Sequence, residues 1–264
     1  MDYLAPLRSA LKLNILLSLL KGEKRISELR AELETSETTI LHALKDLEEL
    51  NLTKKSGGVY QLTSLGALEA ELCSGFSSAV QTMDKFHEFW LTHDITTLPS
   101  NLVLKLGYLK DSTLVRTELA ELGMVHKTFL QLLLSSKKVR GVSPFFHPDF
   151  VAAFKMLLNQ GSSVELVLTK AVLNKTLSLT DAAEMKLVKE FIAENRLKFF
   201  LREDLKVALT ITESGFSLGL FNRDGTYDDK MDLISFNREA IEWGEKLFEA
   251  CLKDSKEVKL EDWG

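Results

Sequence analysis

Two consecutive glycines, Gly57-Gly58, stand between the extended runs Lys54-Lys55-Ser56 and Val59-Tyr60-Gln61-Leu62. A two-residue hairpin loop needs positive φ at both central positions, which glycine adopts without a steric penalty. Immediately before it, Ser36 opens a run in which Ile40, Ala43, Leu44, Leu47 and Leu50 recur at the spacing of one buried helical face. Thr35 and Ser36 are both residue types that cap helix N-termini. The opposite face of that helix carries Thr38, Thr39, His42 and Lys45.

Two earlier helices complete the pattern. Residues Leu4 to Leu20 predict one, with Leu7, Leu11, Ile15 and Leu19 along a face and Gly22 after its end. Ile26, Leu29 and Leu33 predict a short second, begun at Arg25-Ile26-Ser27. Helix, short helix, turn, polar-faced helix and basic-tipped hairpin is the order of a winged helix-turn-helix, here filling residues 1–66. In that arrangement short hydrogen-bonding side chains early in the third helix meet base edges, and hairpin cations hold phosphates. The expected DNA contacts are Ser36, Thr38, Thr39, His42, Lys45, Lys54 and Lys55, with Arg8 and Lys12 as further phosphate candidates. Glu37 would disfavour a phosphate beside it.

Charge pulls the other way. The whole chain of 264 residues carries a net charge of −5, and basic and acidic groups about balance up to Gly66. Phosphate neutralisation by one copy is therefore modest, and a dimer would double the contacts.

From Ala67 to His93 the chain reads as one long helix bearing Leu68, Leu72, Phe76, Val80, Met83, Phe86, Phe89 and Trp90. So wide an apolar face needs a cover, and a second copy of the helix is the simplest one. Residues 100–136 read as two more helices split near Asp111-Ser112, the second holding Leu114, Leu119, Leu122, Val125, Phe129, Leu132 and Leu133. Residues 67–136 are thus expected to form a helical linker and dimerisation region.

After that the periodicity changes from helical to mixed. Strands are predicted at 139–143, 164–169 and 197–201, helices at 149–159 and 181–195, a hairpin across Glu213-Ser214-Gly215, and a closing helix over 238–252. This is an α/β domain with a mixed sheet over residues 137–264. Ligands in such folds favour the carboxyl ends of parallel strands, which selects Ser143, Phe145, Thr169 and Arg202 as a possible small-molecule pocket. The fold class is therefore two-domain α+β and α/β: an N-terminal winged helix, a helical linker and a C-terminal mixed-sheet domain.

Chemistry-bearing motifs are few. There is no P-loop, no Gly-x-Ser-x-Gly and no Gly-x-Gly-x-x-Gly, so neither catalysis nor a cofactor is expected. Cys73 and Cys251 are too far apart in sequence for a zinc-type pair, which fits a reducing cytoplasm. Asp84, His87, His93 and Asp94 follow the hairpin on the long helix, with Asp84 and His87 sharing a face; a metal-responsive repressor is the sharp reading and a solvated helix edge the bland one. His147, between prolines and aromatics, reads as a helix-entry residue. No run is long and apolar enough to suggest a signal peptide or membrane span.

Two stretches resemble known families. Ser36-x-x-Thr39-Ile40-x-His42-x-Leu44-x-x-Leu47-x-x-Leu50-x-Leu52, followed by Tyr60-x-Leu62-Thr63-x-x-Gly66, resembles archaeal winged-helix regulators of the ArsR type. Phe216-Ser217-Leu218-Gly219-Leu220-Phe221, Gly225-Thr226-Tyr227-Asp228 and Glu242-Trp243-Gly244-x-x-Leu247-Phe248 are similar to the effector domain of methanogenesis regulatory proteins. The resemblance implies a homodimeric transcription factor whose C-terminal domain resembles half of a phospholipase-D-like fold, a fold that serves sugar sensing in a related archaeal group. The hydrolase form of that fold needs His-x-Lys, and no histidine here is followed two positions later by lysine. The metal sensors' cysteine motif is absent too. The expectation is a cytoplasmic, dimeric regulator that binds double-stranded DNA, with a small-molecule effector in the C-terminal domain and no membrane partner. The alternatives are a metabolite-binding protein or enzyme whose winged helix mediates protein contacts, and the metal-responsive repressor.

Overall fold

The computed structural model describes residues 8–117, 133 and 136–259. The chain divides into two compact units, Met1–Val80 and Gln81–Gly264. The first holds helices α1 (Ala10–Leu20), α2 (Ile26–Leu33) and α3 (Glu37–Glu49), then strands β1 (Thr53–Ser56) and β2 (Val59–Leu62). Ile15, Leu16, Leu19, Leu29, Ile40, Leu44, Leu47 and Leu52 form one buried cluster, which Tyr60 joins from the hairpin. The first helix is shorter than its leucine spacing suggested. Ser9 caps it, its Oγ accepting from the Lys12 amide at 3.4 Å, and residues 1–7, including Leu4 and Leu7, lie outside the described residues. Asn51 ends α3 in the left-handed region (φ 59°). The strands pair antiparallel with Ser56 opposite Val59, leaving Gly57 (φ 59°) and Gly58 (φ 86°) as the two-residue loop. Backbone bonds in both directions between Lys24 and Tyr60, 3.0 and 2.8 Å, fasten the α1–α2 connection to this hairpin.

Helix α4 (Ser64–Lys85) crosses the division between the units. The single helix expected over 67–93 is interrupted at Phe86 (φ −113°, ψ 32°) and resumes as the short α5 (His87–Thr92). Two side-chain anchors hold the break. The Lys85 ammonium donates to the carbonyls of Lys110 and Ser112, each at 2.8 Å, and the Trp90 indole donates to the Thr82 carbonyl at 3.3 Å. The apolar residues of the expected face therefore separate. Leu68, Leu72, Phe76 and Met83 are exposed, whereas Phe86, Phe89 and Trp90 are buried in the second unit's core.

The second unit continues with one helical turn, α6 (Ser100–Val103), a 3₁₀ turn (Leu106–Leu109) and strand β3 (Thr113–Arg116). The break near Asp111-Ser112 is present, but the residues after it are extended, not helical, because they pair with an edge of the sheet. Leu119, Leu122, Val125, Phe129 and Leu132 of the expected second helix lie outside the described residues. There follow β4 (Lys138–Ser143), α7 (Pro148–Asn159), β5 (Ser163–Leu168), α8 (Lys170–Ser178), α9 (Ala182–Ala193), β6 (Leu197–Leu201), β7 (Val207–Thr212), β8 (Phe216–Leu220), β9 (Met231–Ser235), α10 (Arg238–Lys253) and β10 (Lys256–Glu257). The sheet order is β10-β6-β5-β4-β7-β8-β9-β3, with β4, β5 and β6 parallel and the other pairs antiparallel.

Register fixes the two faces. Val142, Leu209 and Leu218 are successive cross-strand partners, as are Ile211, Phe216 and Ser235, so they share one face. That face packs against Trp243, Leu247 and Phe248 of α10. The Trp243 indole donates to the Leu102 carbonyl at 2.9 Å and its ring meets Phe216 edge-on, centroids 6.0 Å apart. On the other face, Val139, Val164, Leu166, Leu168, Leu197 and Phe199 pack against Leu157 and Leu158 of α7 and Val172 and Leu173 of α8. Beyond β4 this second face changes character: Thr210, Ser217 and Asp232 replace the aliphatic residues.

Helix α10 approaches the sheet closely at Gly244. A Cβ there would stand 2.5 Å from Cδ2 of Phe216. Gly244→Ala is therefore expected to lower stability by about 1–3 kcal/mol, read as a lower urea midpoint at unchanged slope.

Candidate functional site

In the first unit the α3 face is built by its own capping. Ser36 Oγ accepts from the Thr39 amide at 3.2 Å and shares a 2.7 Å hydrogen bond with the Thr39 hydroxyl. With Ile40, Ala43, Leu44 and Leu47 buried, Thr38, Thr39, His42 and Lys45 are all exposed. Lys54 and Lys55 are exposed on β1, the Lys55 ammonium lying 5.2 Å from the centre of the Tyr60 ring. The seven residues singled out for this surface thus lie at the cap and along one face of α3 and on one arm of the hairpin. Lys12 is otherwise engaged: its ammonium pairs with Asp46 at 2.7 Å and holds that carboxyl below its ordinary value.

The histidine and aspartate residues of the metal reading separate. The break at Phe86 falls between Asp84 and His87, so they do not share a continuous helical face. His93 is buried; its Nδ1 donates to the Phe89 carbonyl at 2.6 Å and its Nε2 meets Asp228 Oδ2 at 3.2 Å. Among the described residues no three His, Cys, Asp or Glu side chains are placed to hold a metal ion.

The second unit contains a cavity of about 420 Å³ on the sheet face away from α10. Its floor includes Gly141, Ala208, Thr210, Ser217 and Asp232 from four adjacent strands; Phe145, Phe150, Phe154 and Tyr227 form walls, and Thr117, Asp229 and Lys230 are also in the lining. The Phe145 and Tyr227 rings lie 4.3 Å apart. Asp232 is 5% exposed. Its Oδ2 accepts from the Ser217 hydroxyl at 2.8 Å, while its Oδ1 is buried without a hydrogen-bond partner among the described residues, as is Thr117 Oγ1. Burial pushes the Asp232 carboxyl up to about 7, and burial together with Asp232 and Asp228 raises the Tyr227 phenol. Gly219 makes the convergence possible: a Cβ there would run into the Tyr227 hydroxyl and stand 2.6 Å from Asp232 Oδ1.

Of the four residues selected for a pocket, two line this cavity and two do not. Ser143 and Phe145 are in the lining, the Ser143 hydroxyl donating to the Phe145 carbonyl at 2.8 Å. Thr169 instead caps α8, its hydroxyl accepting from the Val172 amide at 3.2 Å. Arg202 is held at the far end of α10, donating to Asp204 at 2.9 Å and to the Ala250 and Cys251 carbonyls at 3.3 Å. Thr169 and Arg202 stand at the ends of β5 and β6, whereas this cavity lies over β4 and the antiparallel strands β7, β8 and β9. Thr210, Ser217, Tyr227 and Asp232 were missed. For Thr210 and Ser217 the signal was the alternation of small or polar residues with large apolar ones in Val207-Ala208-Leu209-Thr210-Ile211 and Phe216-Ser217-Leu218-Gly219; Tyr227 and Asp232 lie outside these runs. His147 caps α7, its Nδ1 accepting from the Asp149 amide at 3.2 Å, and also lines the cavity.

The first unit presents an exposed polar helix face and a hairpin, and the second, further along the chain, a cavity with a buried carboxyl. The chain belongs to the family of the methanogenesis regulatory protein FilR1: residues 5–81 match its N-terminal domain, and residues 123–254, half of the chain, match its middle domain. A relative named methanogenesis regulatory protein FilR1, from Methanothrix harundinacea (strain 6Ac), is 33% identical over 257 residues, covering 95% of this chain and 56% of that protein. The chain thus spans about half the length of this curated relative. The family is described as that of a regulatory protein. The likeness to methanogenesis regulatory proteins extends over both units, and nothing in it singles out the ArsR type.

Two solved structures are more distant. TrmBL2, described as an archaeal chromatin protein with a novel mode of DNA binding, is 11% identical with a TM-score of 0.44, covering 92% of this chain and 91% of that one. A phospholipase D family member, Nuc from Salmonella typhimurium, is 14% identical with a TM-score of 0.38, covering 56% of this chain and 99% of that one. At these scores neither likeness carries an argument.

The buried carboxyl has a consequence for stability. Unfolded, Asp232 ionises near its ordinary 3.8; folded, at about 7. Between those values the folded state holds a proton that the unfolded state has lost, so stability falls as pH rises through that window. Asp232→Asn is expected to flatten this decline and to be the more stable protein above neutrality, by on the order of 2–4 kcal/mol. Urea unfolding of both proteins at about pH 5 and about pH 8 measures it; equal pH dependence in the two would contradict the assignment.

Proposed function

We propose that this chain is a DNA-binding transcriptional regulator of archaeal type, acting as a homodimer and responding to a small effector in its second unit. The first unit is read as a winged helix-turn-helix, with α3 as recognition helix and the β1–β2 hairpin as wing. The observation that carries the reading is the exposed Thr38, His42 and Lys45 face beside Lys54 and Lys55. These supply hydrogen-bonding groups for base edges at one end of a helix and cations for the flanking phosphates. The relative's name, a methanogenesis regulatory protein, supports the regulatory role.

The dimer is proposed to form along α4. Leu65, Leu68, Leu72, Phe76 and Met83 are exposed at intervals of three, four, four and seven residues, a stripe that follows the 22-residue helix for about 30 Å. A stripe of this kind is self-complementary about a two-fold axis. The effector is assigned to the cavity above Asp232. Domain limits are proposed at 1–80 for DNA binding and from 81 onward for effector binding.

Two experiments test this. Fluorescence anisotropy with duplex from the protein's own promoter should show binding that weakens steeply as salt rises, and the His42→Ala, Lys45→Ala double variant should lose at least about tenfold in affinity. Salt-insensitive binding, or none at low salt, would favour a protein-contact role for the first unit. Separately, sedimentation equilibrium should show a dimer that Leu72→Glu or Phe76→Glu converts to monomer; a wild-type monomer at micromolar concentration would remove the α4 interface.

A further inference from the structure

We propose that the cavity above β7, β8 and β9 takes a small organic amine with an apolar body, its ammonium paired with Asp232 and its body among the aromatic rings. This deepens the effector reading above and rests on it only for the consequence on DNA, not for the binding itself.

The hydrogen-bond inventory selects the head group. Asp228 and Asp232 are neighbours in sequence and both buried, yet only one is satisfied. Asp228 meets His93 at 3.2 Å and accepts from the Lys230 amide at 2.9 Å. Among the described residues Asp232 has a single donor, Ser217, and its Oδ1 has none. The Ser217 proton is already committed to Oδ2, so Ser217 can only accept from a ligand. The unpartnered carboxyl oxygen at the floor is that of Asp232, and the head group that completes it is a donor that also brings positive charge. An ammonium carries three donors and a charge.

Charge excludes the opposite class. An anionic head would meet Asp232 on the floor and Asp229 in the lining, with Asp228 close behind; Lys230 and His147 are the cationic or basic side chains in the lining. Burial already pushes the Asp232 carboxyl up to about 7, and an ammonium beside it would hold it ionised.

The walls select the body. The Phe145 ring lies 4.3 Å from that of Tyr227 and 6.0 Å from that of Phe150. Aromatic faces attract a cation and bury a hydrocarbon or aryl body. A polyol would bring more hydroxyls than these walls can pair. The volume of about 420 Å³ is in the range of small-molecule sites.

The test is calorimetric titration of the full chain at neutral pH with phenethylamine, phenethyl alcohol and phenylacetate, three probes that share an aryl body and differ in the head. The amine should bind, the alcohol at least about tenfold more weakly, and phenylacetate not at all. Asp232→Asn should bring the amine down to the level of the alcohol. Should that variant fail to fold, Phe145→Leu leaves the floor intact and should weaken the amine several-fold. Equal binding of alcohol and amine, tighter binding of phenylacetate, no binding of any probe, or undiminished amine binding in Asp232→Asn and Phe145→Leu would each overturn the proposal. The promoter titration run on the same preparation separates the two claims. DNA binding without amine binding removes the amine and keeps the regulator. Amine binding without DNA binding does the reverse.

Discussion

A β-strand turns successive side chains to opposite faces, and β7 and β8 give those faces opposite chemistry. Val207, Leu209, Ile211, Phe216 and Leu218 go to one side, where Trp243 and Phe248 cover them. Ala208, Thr210, Ser217 and Gly219 go to the other, beside Asp232 and Tyr227. The first face makes the second tolerable. Burying one large apolar side chain contributes roughly 1.5–3 kcal/mol, while one buried oxygen without a partner costs about 1–3 kcal/mol. Two or three residues of the α10 interface therefore outweigh the orphaned oxygen of Asp232. A slip of one residue in the β7–β8 register would exchange the faces, placing Asp232's neighbours under Trp243 and leucines in the cavity.

Much of this was legible in the sequence, and the failures have physical causes. The first unit is dominated by local rules: caps at Ser36, a left-handed end at Asn51, glycines at both positions of a two-residue loop. Such rules act over a few residues, so α2, α3 and the hairpin appear close to where spacing places them. Strand β9 was invisible because Asp232 and Ser235 interrupt its apolar character, and what makes it a strand is pairing with Phe216 and Leu218, residues made adjacent by the fold. The long helix after the hairpin failed for a related reason. Phe86, Phe89 and Trp90 continue a helical spacing, but tertiary burial claims them for a different surface from that of Leu72 and Phe76. Periodicity reports that a residue is apolar at a helical interval and is silent on which partner covers it. The site divides the same way. Exposed residues of α3 follow directly from which face is buried, whereas the cavity is assembled by sheet order, and only Ser143 and Phe145 of its lining were anticipated.

Two chemistries follow one another along the chain. The first unit offers hydroxyl, imidazole and ammonium groups on a convex helix; the second encloses an acceptor among aromatic rings. Helix α4 carries residues of both units without a break until Phe86. In the proposed function, a ligand at Asp232 would alter DNA affinity only to the extent that it bound the DNA-competent and incompetent states differently. The energy available for such coupling is the satisfaction of one buried oxygen and the shielding of its charge, terms of a few kcal/mol. That is the size needed for regulatory shifts of tens-fold.

Whether α3 and the hairpin together form a DNA-binding surface, as proposed, can be read from amide NMR of the isotope-labelled chain titrated with promoter duplex. The account predicts that resonances of Ser36 to Lys45 and of Lys54 to Gly58 shift together and saturate at one stoichiometry, while those of β7 and β8 hold still. Shifts confined to residues outside those two segments, or none at saturating duplex, would contradict it.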